Sequence, residues 1–199
     1  MRNICSQSLL ALQALGMNGF NFLDIGCSGP EQSVCYPLLE YNCDGWFIDI
    51  DHFDGWDGEN YHQLDATTAD WSFIDKNIDY ISIDVDGEGD GVKVLQNINW
   101  EWDVKVITIE HDLYRESLMN QNGNLNLEKK PQKEFLQNKG FELVCEDVTF
   151  ADCDTGQEKP HEDWWVKPEY LDNVRYLIGA NQNRMKLYEK ISSNIGRTN

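Results

Sequence analysis

The 199-residue chain is poor in positive charge: 16 Lys and Arg stand against 35 Asp and Glu, a formal charge of −19. A surface of that sign repels phosphate backbones, which argues against a nucleic-acid partner. No apolar run approaches the roughly 20 residues needed to span a bilayer, so no membrane partner is expected either. The run LLALQAL, residues 9–15, is broken by Gln13 and lacks a small-residue cleavage pattern. It reads as an amphipathic helix rather than an export signal. None of the six cysteines makes a C-x-x-C pair, which removes a zinc ribbon. A chain this long does not need disulfides, so reduced thiols and a cytoplasmic location are expected. Repeats, low-complexity tracts and linkers are also missing. The expected organisation is one domain over 1–199, with an N-terminal helix in 1–18, a core over 20–168 and a helical tail over 169–199.

What is present points to a well-filled core. Aromatics make up 12% of the chain, seven of them Trp, a composition that excludes disorder. Apolar runs at 20–26, 45–50, 61–66, 78–85 and 104–112 read as strands. Between or after them, helices are expected from Pro30 (short or kinked, because Pro37 lies within it), over 67–77 with Thr67 or Thr68 as cap, over 90–97, and over 127–140 ended by Gly140. Strand–helix alternation of this kind implies an α/β fold with a parallel sheet and helices on both faces. Two consecutive strands, 141–153 and 163–168, predict an antiparallel hairpin at one edge. A last helix is expected around 181–191.

Ligands of open α/β sheets bind at the carboxyl ends of the strands. Here every expected strand of the parallel core ends in a carboxylate: Asp24, Asp49 with Asp51, Asp65, Asp84 with Asp86, and Glu110 followed by His111. The first turn reads D-x-G-x-x-G (DIGCSG, 24–29), not the G-x-G-x-x-G of a dinucleotide site. Asp24 would repel a pyrophosphate but suits an ammonium or a sulfonium, and Gly26 and Gly29 let the backbone approach a ligand. Asp49, 25 residues on, can accept both ribose hydroxyls, and Asp65 can accept from an adenine amine. Together these describe a cationic adenosine ligand, for which S-adenosylmethionine is the obvious choice.

The stretch DVDGEGDG, 84–91, invites comparison with a calcium loop. Its sixth residue is Gly89, but its twelfth is Leu95 rather than a bidentate Glu, and a strand precedes it instead of a helix. The EF-hand reading therefore fails. The segment is a turn leaving the fourth strand, its first two acids facing the cleft and Glu88 and Asp90 facing water or the next helix.

Several motifs resemble the FkbM-type S-adenosylmethionine-dependent methyltransferases: FLDIGCSGP, GWFIDID, DYISIDVDGEGDGVKVL, VKVITIEHD, KGFELV and EDWWVKP, together spanning about 20–168. The resemblance implies the Rossmann-like class I methyltransferase fold, a mostly parallel seven-stranded sheet with an antiparallel edge strand. It also implies O-methylation of a hydroxyl on a sugar or other small metabolite. By resemblance, Asp24, Gly26 and Gly29 contact the methionine part, Asp49 the ribose and Asp65 the adenine, while Asp84 lies at the active-site floor. Ser28, Ile50 and Ala66 complete the expected cofactor-binding set. The sequence departs from the family pattern at Pro30 and Pro37, and its IDVDGEGDG turn is longer.

Methyl transfer to a hydroxyl requires in-line placement and removal of a proton. The groups expected to act on the acceptor are His111, Glu110, Asp84 and Asp86, with His111 the base of most suitable ordinary pKa. Asp84, Asp86 and Glu110 are also hard oxygen ligands fit for Mg²⁺. His161, Trp164 and Trp165 are expected to offer a sugar-stacking surface. The alternative is a non-catalytic protein that binds a ligand or a divalent metal on the same fold.

Overall fold

The computed structural model describes residues 4–16, 19–56, 60–87, 89–111, 128–151 and 156–195. Eight strands form one sheet: β1 (Asn21–Ile25), β2 (Asp44–Asp49), β3 (Tyr61–Gln63), β4 (Tyr80–Ile83), β5 (Val106–Glu110), β6 (Glu142–Ala151), β7 (Glu158–Val166) and β8 (Gly179–Ala180), in the order β3-β2-β1-β4-β5-β7-β6-β8. β7 runs antiparallel to both neighbours, and every other pairing is parallel. The sheet therefore has one strand more than expected. Its antiparallel strand lies inside, because β6 and the two-residue β8 extend the edge beyond it.

The described helices are α1 (Ser6–Leu15), α2 (Asp90–Asn97), α3 (Lys129–Asn138), the single turn α4 (Leu171–Val174) and α5 (Arg184–Ile195). They cover both faces, and the period-two alternation of the strands shows how. Phe22, Phe47, Tyr80, Val106 and Trp164 join a core with Leu9, Leu12, Leu187 and Ile191 of α1 and α5. Their neighbours Leu23, Trp46, Ile48, Ile81, Ile107 and Trp165 join a second core with Val94, Leu95 and Leu136 of α2 and α3. With both faces covered, the central strands read as continuous apolar runs.

Three local expectations change. α1 is buried almost all round rather than on one stripe, because α5 covers the side turned away from the sheet. No α-helix starts at Pro30. Turns fill 29–32 and a 3₁₀ helix follows over Tyr36–Tyr41, with Pro37 in its first turn, where the missing N–H does no harm. The segment after β3 forms only a 3₁₀ turn, Trp71–Phe73, capped by Asp70 instead of Thr67 or Thr68. Thr67 is engaged by Asp65. Among the described residues no helix is long and apolar enough to cross a membrane.

Candidate active site

A cavity of about 620 Å³ opens across the carboxyl ends of the strands. Its walls run from Leu64 and Asp65, just after β3, through Asp49 and Ile50, Gly26 and Ser28, and Asp84 to Asp86, to Glu110 of β5 and His161 of β7. Those strands occupy six adjacent places in the sheet, so at about 4.8 Å per strand the wall is roughly 24 Å across. Seven carboxylates line it: Asp49, Asp51, Asp65, Asp84, Asp86, Asp90 and Glu110. No Lys or Arg is among its described lining residues.

Backbone bonds set the shape of the central turn. Gly26 and Cys27 donate to the Ile48 carbonyl at 2.8 and 3.2 Å, and Asp84 N–H donates to the Ile25 carbonyl at 2.9 Å. Gly26 has φ +78°, and a Cβ there would overlap the Asp84 carbonyl, so only glycine fits. Asp49 clasps the turn: its Oδ2 accepts from Ser28 N–H at 2.8 Å and its Oδ1 from Asp51 N–H at 3.0 Å. An ionised carboxylate offers about four lone-pair sites. Two remain after these bonds, the number that a pair of vicinal hydroxyls needs. Ile50, 65% exposed, presents an apolar surface beside it. Asp65 accepts from Thr67 N–H and Oγ1 at 2.8 and 2.6 Å, and those bonds hold its carboxyl below the ordinary range.

The structure brings Gly26, Ser28, Asp49, Ile50, Asp65, Ala66, Asp84, Asp86 and Glu110 to this cavity. Gly29 is not among the lining residues, and neither is Asp24. β1 continues through Ile25, which leaves Asp24 inside the ladder and turned toward a sheet face. It is 2% exposed and accepts from Ser33 Oγ at 2.6 Å and Cys35 N–H at 3.4 Å. Burial pushes its carboxyl up to about 6, against the lowering effect of the Ser33 bond.

His111 is placed differently from the sequence expectation. It follows β5, one position beyond Glu110, so alternation turns it away from the wall that Glu110 lines. Its side chain is fully buried, with Nε2 3.3 Å from Asp147 Oδ1 and 3.7 Å from Asp163 Oδ1. Asp147 has φ +52° within an irregular stretch of β6, and Lys129 Nζ lies 2.7 Å from its Oδ2. The His111 imidazole beside it, with Lys129 in support, lowers the Asp147 carboxyl to about 2. Burial raises that of Asp163. This quartet fastens α3, β5, β6 and β7 together.

The histidine at the cavity is His161, whose Nδ1 lies 3.1 Å from Glu110 Oε1. The sequence expectation begins the last strand at Asp163, which leaves His161 ahead of it, and Pro160 favours that reading. β7 instead starts at Glu158 and carries Pro160 through an irregular pairing with β6. Trp164 and Trp165 offer no stacking surface: both are fully buried, one in each core. Glu88 lies outside the described residues.

No protein-family profile and no curated protein matches the chain. Solved structures do. A TehB-like S-adenosylmethionine-dependent methyltransferase from Corynebacterium glutamicum aligns at 17% identity and TM-score 0.51, over 83% of this chain and 88% of its own. The plantazolicin methyltransferase BpumL, in complex with S-adenosylhomocysteine, aligns at 14% identity and TM-score 0.52, over 82% of each chain. The chain has the class I methyltransferase fold. A candidate hemolysin from Lactococcus lactis aligns as well, at 16% identity and TM-score 0.52, over 96% of this chain and 99% of its own. At such identities the likeness is one of architecture.

Proposed function

We propose that the protein is an S-adenosylmethionine-dependent methyltransferase acting on a hydroxyl of a sugar or small metabolite, in the manner of the FkbM-type enzymes its motifs resemble. The observation that carries this reading is the cavity at the strand ends, walled by seven carboxylates with Asp49 at the end of β2. A nucleotide phosphate would be repelled there, whereas a sulfonium and an α-ammonium are favoured. The residues fit the cofactor. Asp49 keeps two acceptor sites for the ribose hydroxyls, Ile50 and Ala66 give apolar cover, and Gly26 lets the chain turn without a side chain in the cleft. The volume falls in the range of small-molecule sites.

When bound, the cofactor supplies the electrophilic methyl group. The protein's part is placement, and orientation of this kind can lower a barrier by roughly 7–11 kcal/mol. The adenosine belongs at the β2–β3 end, beside Asp49 and Asp65. The acceptor then belongs at the far end, among Asp84, Asp86, Glu110 and His161, with His161 standing where the sequence had suggested His111. One of these groups receives the acceptor's proton as the methyl is transferred.

Titration calorimetry with S-adenosylmethionine, with NAD⁺ and Ca²⁺ as comparisons, tests the reading. A saturable S-adenosylmethionine signal, with none for NAD⁺, is expected. A folded protein that ignores S-adenosylmethionine and binds Ca²⁺ instead would favour a metal-binding protein on this fold.

A further inference from the structure

The far end of the cavity brings together three side chains from three strands. Asp84 follows β4, Glu110 ends β5 and His161 sits in β7, and all three line the cavity. Each offers one ligating atom, and these atoms lie within 4.8 Å of one another. His161 Nδ1 and Glu110 Oε1 are 3.1 Å apart. Two ligands bonded at about 2.1 Å to one ion stand roughly 3.0–3.4 Å apart in octahedral or tetrahedral geometry. Around them the wall carries only carboxylates as charged groups among its described residues, apart from His161 itself. At so acidic a site a divalent cation is strongly attracted.

We propose that Asp84, Glu110 and His161 bind one divalent transition-metal ion of the Mn²⁺, Co²⁺ or Zn²⁺ class. The imidazole decides the class. Mg²⁺ and Ca²⁺ take all-oxygen shells, whereas one nitrogen beside two carboxylates suits the later divalent ions. Three protein ligands leave coordination positions facing the cavity, the pattern of a catalytic rather than a structural site. There the ion can polarise an acceptor oxygen and lower a hydroxyl pKa. That role rests on the function proposed above, but ion binding itself does not.

A second trio, His111, Asp147 and Asp163, also brings ligating atoms within 4.8 Å. It is the weaker candidate on two counts. Lys129 already places an ammonium 2.7 Å from Asp147, and the His111 side chain has no exposure through which an ion could enter. The two trios thus give an internal comparison.

The test uses the full chain, stripped with chelator and titrated with Mn²⁺ at about 0.15 M salt without S-adenosylmethionine. Free Mn²⁺ is read by electron paramagnetic resonance, and the fold is checked by circular dichroism. One ion per chain is expected, with affinity falling at least tenfold in His161→Ala and in Glu110→Gln and unchanged in His111→Gln. If His111→Gln fails to fold, Asp163→Asn takes its place. No saturable Mn²⁺, Co²⁺ or Zn²⁺ binding overturns the proposal. So does binding that survives both cavity substitutions, or that is lost with His111 or Asp163 instead. A separate S-adenosylmethionine titration keeps the two claims apart: ion binding without cofactor binding sinks the proposed function and leaves the metal site standing.

Discussion

Replacing Asp24 by Asn should stabilise the protein at neutral pH and do so progressively less toward acid. Asp24 is 2% exposed and its carboxyl is pushed up to about 6, from an unfolded value near 3.8, chiefly by burial. The folded state therefore holds a proton over the window between those values in which the unfolded chain has released it. Stability falls as pH rises through that window. A separation of about 2.2 pH units at roughly 1.4 kcal/mol each gives about 3 kcal/mol in full. Of this, roughly 2 kcal/mol is expressed between pH 4.5 and 7.5. Asn is uncharged and of the same shape, and its oxygen can still accept from Ser33 and Cys35. The assay is urea unfolding of the parent and of Asp24→Asn at pH 4.5, 6 and 7.5. The stability of Asp24→Asn relative to the parent should rise by about 2 kcal/mol across the series. A difference that stays flat with pH, or that shrinks toward pH 7.5, would refute the account of a carboxylate destabilised by burial.

Three more outcomes follow from other residues. Asp147→Asn should cost about 2 kcal/mol at pH 7, because His111 and Lys129 lower that carboxyl to about 2. This stability is present above about pH 4 and lost as pH falls toward 2, and urea unfolding at pH 7 and 3 reads it; an equal cost at both would count against the charge. Gly26→Ala should cost at least about 2 kcal/mol, since φ is +78° and the new Cβ would overlap the Asp84 carbonyl; an unchanged thermal midpoint would show that the turn is not so confined. Asp49→Ala should weaken S-adenosylmethionine at least tenfold in calorimetry while the protein stays folded; undiminished affinity would remove it from the ribose.

The parallel core was legible because each of its strands except the short, polar β3 is an apolar run with an acid at or near its end, and because the intervening segments alternate with it. The edge was less so. Pro160 disguised the first half of β7, and Gly179–Ala180 is too short to carry any pattern, so both the extent of β7 and the existence of β8 depend on tertiary pairing. Pro37 and the polar stretch before it replaced an expected helix with a 3₁₀ turn, and there the propensities were readable in advance.

The histidines show where residue-level reading needed one more step. Glu110 and His111 are adjacent at the end of β5, so one of them had to turn from the cavity; alternation along β5, with Ile107 and Ile109 in the α2–α3 core, already puts His111 on that face. Asp163 shares it, paired in register with Ile109. A buried histidine between two aspartates and a lysine is then a fastening for α3. His161, expected only as part of a stacking surface, was harder to assign, because its place beside the Glu110 side chain depends on the antiparallel return of β7, in which Glu162 is the register partner of Glu110. The His111 backbone N–H donates to the His161 carbonyl at 3.0 Å, which holds the two strand ends together. That bond is made by the backbone, so a His111→Gln variant that folds keeps it, whereas a variant that loosens the fastening also loosens the strand that carries His161. A fall in turnover in a His111 variant would not by itself identify a base, and only a comparison with His161→Ala under matched stability separates chemistry from support.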